Sequence, residues 1–325
     1  MLERRKLLLS LTAAAATMPF AARAQPAWPD RPVRLVVPFP AGSTPDILGR
    51  TLAPHFTSVF GQSFIVDNRA GAGGNLGTDA VAKATDGHTI GISINGPLTT
   101  APALYPHLPY DPVKDLAPVS LAVRAGQVLV VHPSIPATSV AELVAHAKAN
   151  PGMLTFGSVG PGSGGHLAME DLMARTGIKM EHVPYRGFPQ ATLDLVAGRI
   201  SAMIITSAGI LPQVREGSAR ALAVTAAARL PLLPEVPSLA EAGMPDAASY
   251  AWTAVIAPSS MPAERVAKLS AEVKVALASE QGRRVMETAG FEVVAGTPAE
   301  LAQWMAAETT RWGGLIKRLG ITADS

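Results

Sequence analysis

Cysteine is absent from the 325 residues, aromatic side chains make up 5% and charged ones 16%. Without cysteine there is no thiol nucleophile, no thiolate-bound zinc and no disulfide staple, so the fold rests on packing. The signatures H-E-x-x-H, G-x-S-x-G and the Walker phosphate loop are also missing, which leaves hydrolytic and phosphoryl-transfer readings without an anchor. His166 and Glu170 stand four apart, the spacing of a shared metal on a helix, but no third ligand follows at suitable spacing and no metal is expected. No Lys/Arg cluster interleaved with aromatics occurs, so nucleic acid is not an expected partner. Beyond the first two dozen residues no apolar run reaches the length of a membrane span.

What is present begins with export. Arg4, Arg5 and Lys6 precede an apolar run from Leu7 to about Ala16, and Ala22-Arg-Ala24 before Gln25 forms an A-x-A cleavage site. Residues 1–24 therefore read as a secretory signal cleaved near Ala24, with the Arg pair leaving both the Sec and the twin-arginine route open. Its removal takes away four basic residues and one acidic one, so the remaining chain carries 23 basic and 24 acidic residues and no cationic field.

From residue 33 onward short apolar runs alternate with segments of helical period. Strands are expected at 33–37, 64–66, 89–94, 116–123, 128–132, 154–158, 180–184, 200–205, 221–224 and 251–256. Helices are expected at 45–60, 76–83, 166–176, 238–242, 263–277, 281–289 and 298–319, with others starting at the Ser139–Glu142 capping box, ending before Gly198 and ending at Glu216. Such alternation predicts an α/β fold of mainly parallel sheets with helices on both faces. The Pro-rich passage 108–115 and the apolar segment 251–256 read as crossings between two lobes. Residues 25–124 with 250–325 then form a discontinuous first lobe, and 125–249 the second, joined by two crossing strands.

Several turns between a strand and a helix share one chemistry. In Phe39-Pro-Ala41-Gly42-Ser43-Thr44-Pro-Asp46, Thr44 is placed to cap the next helix and Pro45 fits its first position, so backbone N–H groups face outward with the positive end of the helix dipole. Such an end accepts a carboxylate or phosphate. Gly73-Gly74, Asn95-Gly96, Gly160-Pro-Gly162-Ser163 and Tyr185-Arg186 end other strands and complete a candidate cradle, with Ser43 and Ser163 as hydroxyl donors and Arg186 as a bidentate partner for an acidic group. Gly160 to Gly165 also matches G-x-G-x-x-G, the anchor of a rival reading as an exported nucleotide-dependent oxidoreductase. Glu181 lies inside the next strand rather than at its end, however, and Pro161 and His166 crowd the turn.

Six blocks together resemble the Bug family: 32–42 with Asp46, 67–74, 108–112, 182–187, 222–225 and 236–243. These are the periplasmic substrate-binding components of tripartite tricarboxylate transporters, and the likeness runs in order over nearly the whole chain after the signal. It differs at Ser43, where the family usually has a second glycine, at Ala70 in place of proline, and at His88 in place of tyrosine. The resemblance implies a two-lobed, type II-like periplasmic binding protein, not an enzyme and without a cofactor. It would close on a di-, tri- or aromatic carboxylate and deliver it to integral membrane permease subunits, or serve a sensor kinase. A monomer is expected. In that family backbone amides, hydroxyls and waters from both lobes hold the carboxylate, which agrees with four amide-rich turns and few cations here.

Overall fold

The computed structural model describes residues 28–185 and 187–323; the expected signal segment lies outside them. The first half opens with β1 (Val33–Val37), α1 (Thr44–Phe60), β2 (Phe64–Asn68), α2 (Asn75–Ala82) and β3 (Thr89–Ile94). A single π-type turn, Gly96–Thr100, and the short α3 (Ala101–Leu104) follow. Then comes β4 (Leu116–Val131), and beyond it α4 (Val140–Ala149), β5 (Thr155–Ser158), α5 (Gly164–Thr176), β6 (Glu181–Pro184), α6 (Phe188–Val196), β7 (Ala202–Thr206), α7 (Leu211–Arg215) and β8 (Arg220–Val224). The chain returns through β9 (Tyr250–Pro258) and ends with α8 (Ala263–Ala278), α9 (Glu280–Thr288), β10 (Glu292–Val293) and α10 (Pro298–Leu319).

The sheet runs β2-β1-β3-β9-β4-β7-β5-β6, with β8 and β10 also on β4. Each half holds three parallel strands, β2-β1-β3 and β6-β5-β7, as the strand–helix alternation requires. Every pair made by the crossing strands is antiparallel, so the sheet is mixed rather than mainly parallel. Side chains alternate between two covered faces. On β1, Leu35 and Val37 join the core under α1 and α8, while Val36 meets Trp252 and Leu301 on the other side. On β4, Leu129 and Val131 pack with Phe156 and Met169, and Val128 and Val130 with Leu195 and Ile210. Burying Leu48, Leu52 and Phe56 of α1 stabilises the fold by about 1.5–3 kcal/mol each.

Two expectations change. Segments 116–123 and 128–132 are one strand of 16 residues, whose Leu116–Gly126 part pairs β9 and whose Gln127–Val131 part pairs β7. Pairing on both edges carries the strand through Arg124-Ala-Gly-Gln127, which by composition reads as a break. The helix expected at 238–242 is a single turn held by Ser238 N–H on Glu241 Oε2 and Glu241 N–H on Ser238 Oγ. The Pro-rich stretch ahead of it gives it nothing to propagate from.

The two passages between the halves are tied by one residue. Thr225 Oγ1 accepts from Gln127 N–H at 2.9 Å and donates to Ser249 O at 2.7 Å, and its backbone bonds both partners as well. Helix α10 belongs to neither half alone. Leu301 and Met305 lie in the core of the first, while Leu315 and Ile316 pack on Leu167 of α5 and Arg311 bonds Asp171 of α5 at 3.2 Å and the carbonyl of Ala248.

Candidate functional site

Two turns of equal design open helices α1 and α5. In the first, Gly42 at φ +80° lets the chain reverse, Ser43 N–H bonds Pro40 O, and Gly42 N–H donates to Asp46 Oδ2 at 2.8 Å. In the second, Gly162 at φ +74° plays the same part, Ser163 N–H bonds Gly160 O, and Gly162 N–H donates to His166 Nδ1 at 3.1 Å. In both, the side chain four residues on takes the glycine amide, and serine is the N-cap of the helix that follows.

The first turn departs from expectation in two ways. Ser43, not Thr44, is the N-cap, and its hydroxyl donates back to Pro40 O at 2.7 Å rather than capping a helix amide. Asp46 is 2% exposed, and its carboxylate accepts from Gly42, from Arg50 Nε at 2.9 Å and from Asn68 Nδ2 at 2.9 Å. Burial alone would raise its pKa, but these hydrogen bonds outweigh it and hold the carboxyl below the usual range. Asp46 thus braces the turn from behind, with Asn68 also reaching Phe39 O at 2.9 Å. Phe39, half-buried, lies against Gly74 and Pro97, so three turns of the first half meet at one place. Ala41 and Gly73 are exposed beside them, and Gly96 is half-buried.

In the second turn Ser163 caps α5 by accepting from His166 N–H at 3.4 Å. His166 is 1% exposed and its ring lies 4.2 Å from that of His182. Burial, helped by His182, pushes its pKa down to about 3, so the imidazole is neutral with Nδ1 as acceptor. Glu170, 3.6 Å from its other nitrogen, is raised by burial. Among the described residues no group of three His, Cys, Asp or Glu is placed to hold a metal. A Cβ on Gly165 would strike the carbonyl oxygen of Ile204, so this glycine lets α5 sit directly on β7. The amide of Gly162 is taken, and Leu104 occupies the space beside its Cα, so the turn does not present the open backbone a dinucleotide pyrophosphate needs.

The halves touch here. Thr100 Oγ1 donates to Gly162 O at 3.2 Å, and Asn95, 7% exposed, faces the start of α5 across the junction. Beside it stands Gln127, 2% exposed, at the point where β4 passes from one half of the sheet to the other. Its signal in the sequence was a lone amide next to the apolar run 128–131. Gly160 N–H bonds Ser158 Oγ at 3.0 Å. Tyr185 is turned away from this group: its hydroxyl donates to Asp194 Oδ2 at 2.9 Å, its ring covers Gly157, and burial, then Asp194, raises its pKa to about 12. Arg186 lies outside the described residues. A hollow lined by Pro102, Tyr105, Leu108, Tyr110, Val113 and Thr309 shares none of these turns.

Comparison with known proteins agrees with this architecture. Residues 48–321 match the model of the tripartite tricarboxylate transporter family receptor. Protein BugT of Bordetella pertussis is 36% identical over 295 residues, 90% of either chain. The structure of R. palustris Rpa4515 with adipate superposes with a TM-score of 0.81 at 38% identity, covering 91% of this chain and 99% of that one. MatC (Rpa3494) from Rhodopseudomonas palustris with bound malate gives 0.78 at 32%, covering 89% and 100%. Among the described residues no helix is long and apolar enough to cross a membrane. A family model that spans most of the chain, with relatives aligned over nearly its full length, places this protein in the tripartite tricarboxylate transporter receptor family.

Proposed function

We propose that the chain is a periplasmic receptor, monomeric and not catalytic, that binds a small carboxylic acid where the two halves meet and delivers it to integral membrane permease subunits. The observation that carries this reading is the meeting of amide-rich turns from opposite halves, Asn95 and Thr100 against Gly162 to Gly164. The two similar proteins whose structures hold adipate and malate support a carboxylate as the cargo.

In this reading Ala41 to Thr44, Gly73, Gly74, Asn95, Gly96, Gly160 and Ser163 line the site. The parts 28–124 with 250–323 and 125–249 move as lobes about β4 and the Ser249–Tyr250 return. The ligand enters as Thr100 and Leu104 part from Gly162. A thermal-shift screen of carboxylic acids tests it: at a hundred times its Kd a bound acid stabilises the fold by about 2.7 kcal/mol. A shift with sugars or cationic amines alone sinks the carboxylate assignment. Small-angle scattering with and without the best ligand reports the lobe movement.

A further inference from the structure

Gln127 is 2% exposed, and its two ends fare differently. Its backbone is engaged on Thr225, whose Oγ1 accepts from Gln127 N–H and whose N–H donates to Gln127 O. Its side-chain Oε1 is sealed from solvent and has no hydrogen-bond partner. The return passage repeats the pattern: the N–H and C=O of Ser249 both bond Thr225, yet Ser249 Oγ is buried without a partner. What crowds Gln127 Oε1 comes from both halves. A Cβ on Gly164, at the start of α5, would lie 3.2 Å from Gln127 Oε1 and 3.4 Å from Asn95 Nδ2, so the tips of the two amides meet near one point without bonding each other. Gln127 pairs Thr206 of β7, and the next glycine, Gly165, rests on Ile204 of the same strand, so Gln127 and Gly164 belong with the second half. Asn95 follows β3 and belongs with the first.

We infer that Gln127 is a spring against closure: when the halves meet, Asn95 seals its amide oxygen from water and no donor replaces the water, so the empty receptor rests with its halves apart. This rests on the reading of the halves as moving lobes and adds what sets their balance without cargo. When the halves part, Asn95 draws off and water reaches Oε1. A hydrated acceptor costs nothing, whereas one buried without a donor disfavours its conformer by a factor of about five or more. The cost falls on the meeting of the halves and not on a contact with cargo. It therefore weakens the binding of every acid by one common factor, the share of molecules that have to be drawn shut.

The absence of cysteine makes the test direct. Ser58→Cys on α1 and Ala145→Cys on α4, both exposed and one on each half, each take a spin label in the chain lacking its signal. Pulsed electron paramagnetic resonance on the empty protein then reads which fraction holds the separation seen here. The larger fraction of wild type is expected apart. Gln127→Met, of similar volume and with no amide oxygen to strand, should raise the ratio of meeting to parted molecules about fivefold or more. Gln127→Leu should do the same, and it replaces the first variant if that one fails to fold. Titration calorimetry with malate and adipate gives the second readout: both Kd values fall by one common factor. Two separations whose ratio is unchanged or lowered in the variants overturn the spring and leave the moving lobes standing. So do unequal changes for the two acids, which would make Gln127 a contact of the cargo. A single distance in every sample, with or without malate or adipate, removes the lobe movement and the spring together.

Discussion

The turns before α1 and α5 share a backbone and differ in what braces it. Asp46 brings a permanent negative charge to the first turn of its helix, where it also meets the dipole, Arg50 and Asn68. His166 brings a neutral acceptor and leaves the dipole of its helix unanswered. One geometry is thus held once by a charged network and once by an uncharged ring in a stack with His182 and Phe156. The difference teaches where an anion is more welcome: no carboxylate bonds the amides of the α5 turn, and burial favours the neutral form of Glu170 behind His166, whereas at the α1 turn an anion would face Asp46 through a single amide.

Acid separates the two turns most. His166 in the folded chain has a pKa of about 3 against an ordinary value of 6.5, so below pH 6.5 the unfolded chain takes up a proton that the folded one refuses. Stability then falls by about 1.4 kcal/mol per pH unit, roughly 3 kcal/mol by pH 4. Asp46, lowered below 3.8, keeps its contribution through that window and loses it only at lower pH. Glu170 and Glu308, both raised chiefly by burial, gain protons on folding as pH falls and act in the opposite sense. The reading of His166 is therefore the difference between urea midpoints of wild type and His166→Gln from pH 7 to 4. Parallel curves would remove the imidazole from the account.

At neutral pH the braces are compared by deletion. Asp46→Ala strands Gly42 N–H and Asn68 and is expected to cost about 2–3 kcal/mol, discounted for the exposure of Arg50. His166→Leu strands mainly Gly162 N–H and should cost about 1–2 kcal/mol. Urea denaturation of both, with the reverse order as the contrary outcome, ranks the charged brace against the neutral one. The smallest effect distinguishes the serines. Ser163→Ala removes a side-chain helix cap and should cost about 1 kcal/mol, while Ser43→Ala, at an N-cap whose hydroxyl bonds no helix amide, should cost less than about 0.5 kcal/mol. Calorimetric melting of the pair decides between them.

Much of this architecture was legible before the structure. Apolar runs separated by capped helical periods locate β1 to β3 and β5 to β8 to within two residues, because each buried strand is short and most helices begin at Ser, Thr or Gly. The long strand β4 was not legible, since Gly126 and Gln127 interrupt its apolar pattern and only pairing with β9 and β7 keeps it extended. The candidate site divides similarly. The glycines and serines of the turns follow from local rules, but nothing local says that Asp46 points back into its own turn, that Tyr185 bonds Asp194, or that Gln127 stands over Gly164. Those are facts of tertiary placement, and they separate residues that shape a cradle from residues that face into it.

Thr225 carries a mechanical consequence. One hydroxyl grips Gln127 on the outward passage and Ser249 on the return, so the two passages are tied to each other at that threonine. On α10, Leu315 and Ile316 pack on Leu167 while Arg311 bonds Asp171 of α5 and the carbonyl of Ala248, next to Ser249. If the halves rotate as proposed, that helix has to slide across α5, and the resistance to opening comes from a contact outside the turns. Under the proposed function, Arg311 then offers a place to retune the balance between open and closed forms outside the proposed binding turns.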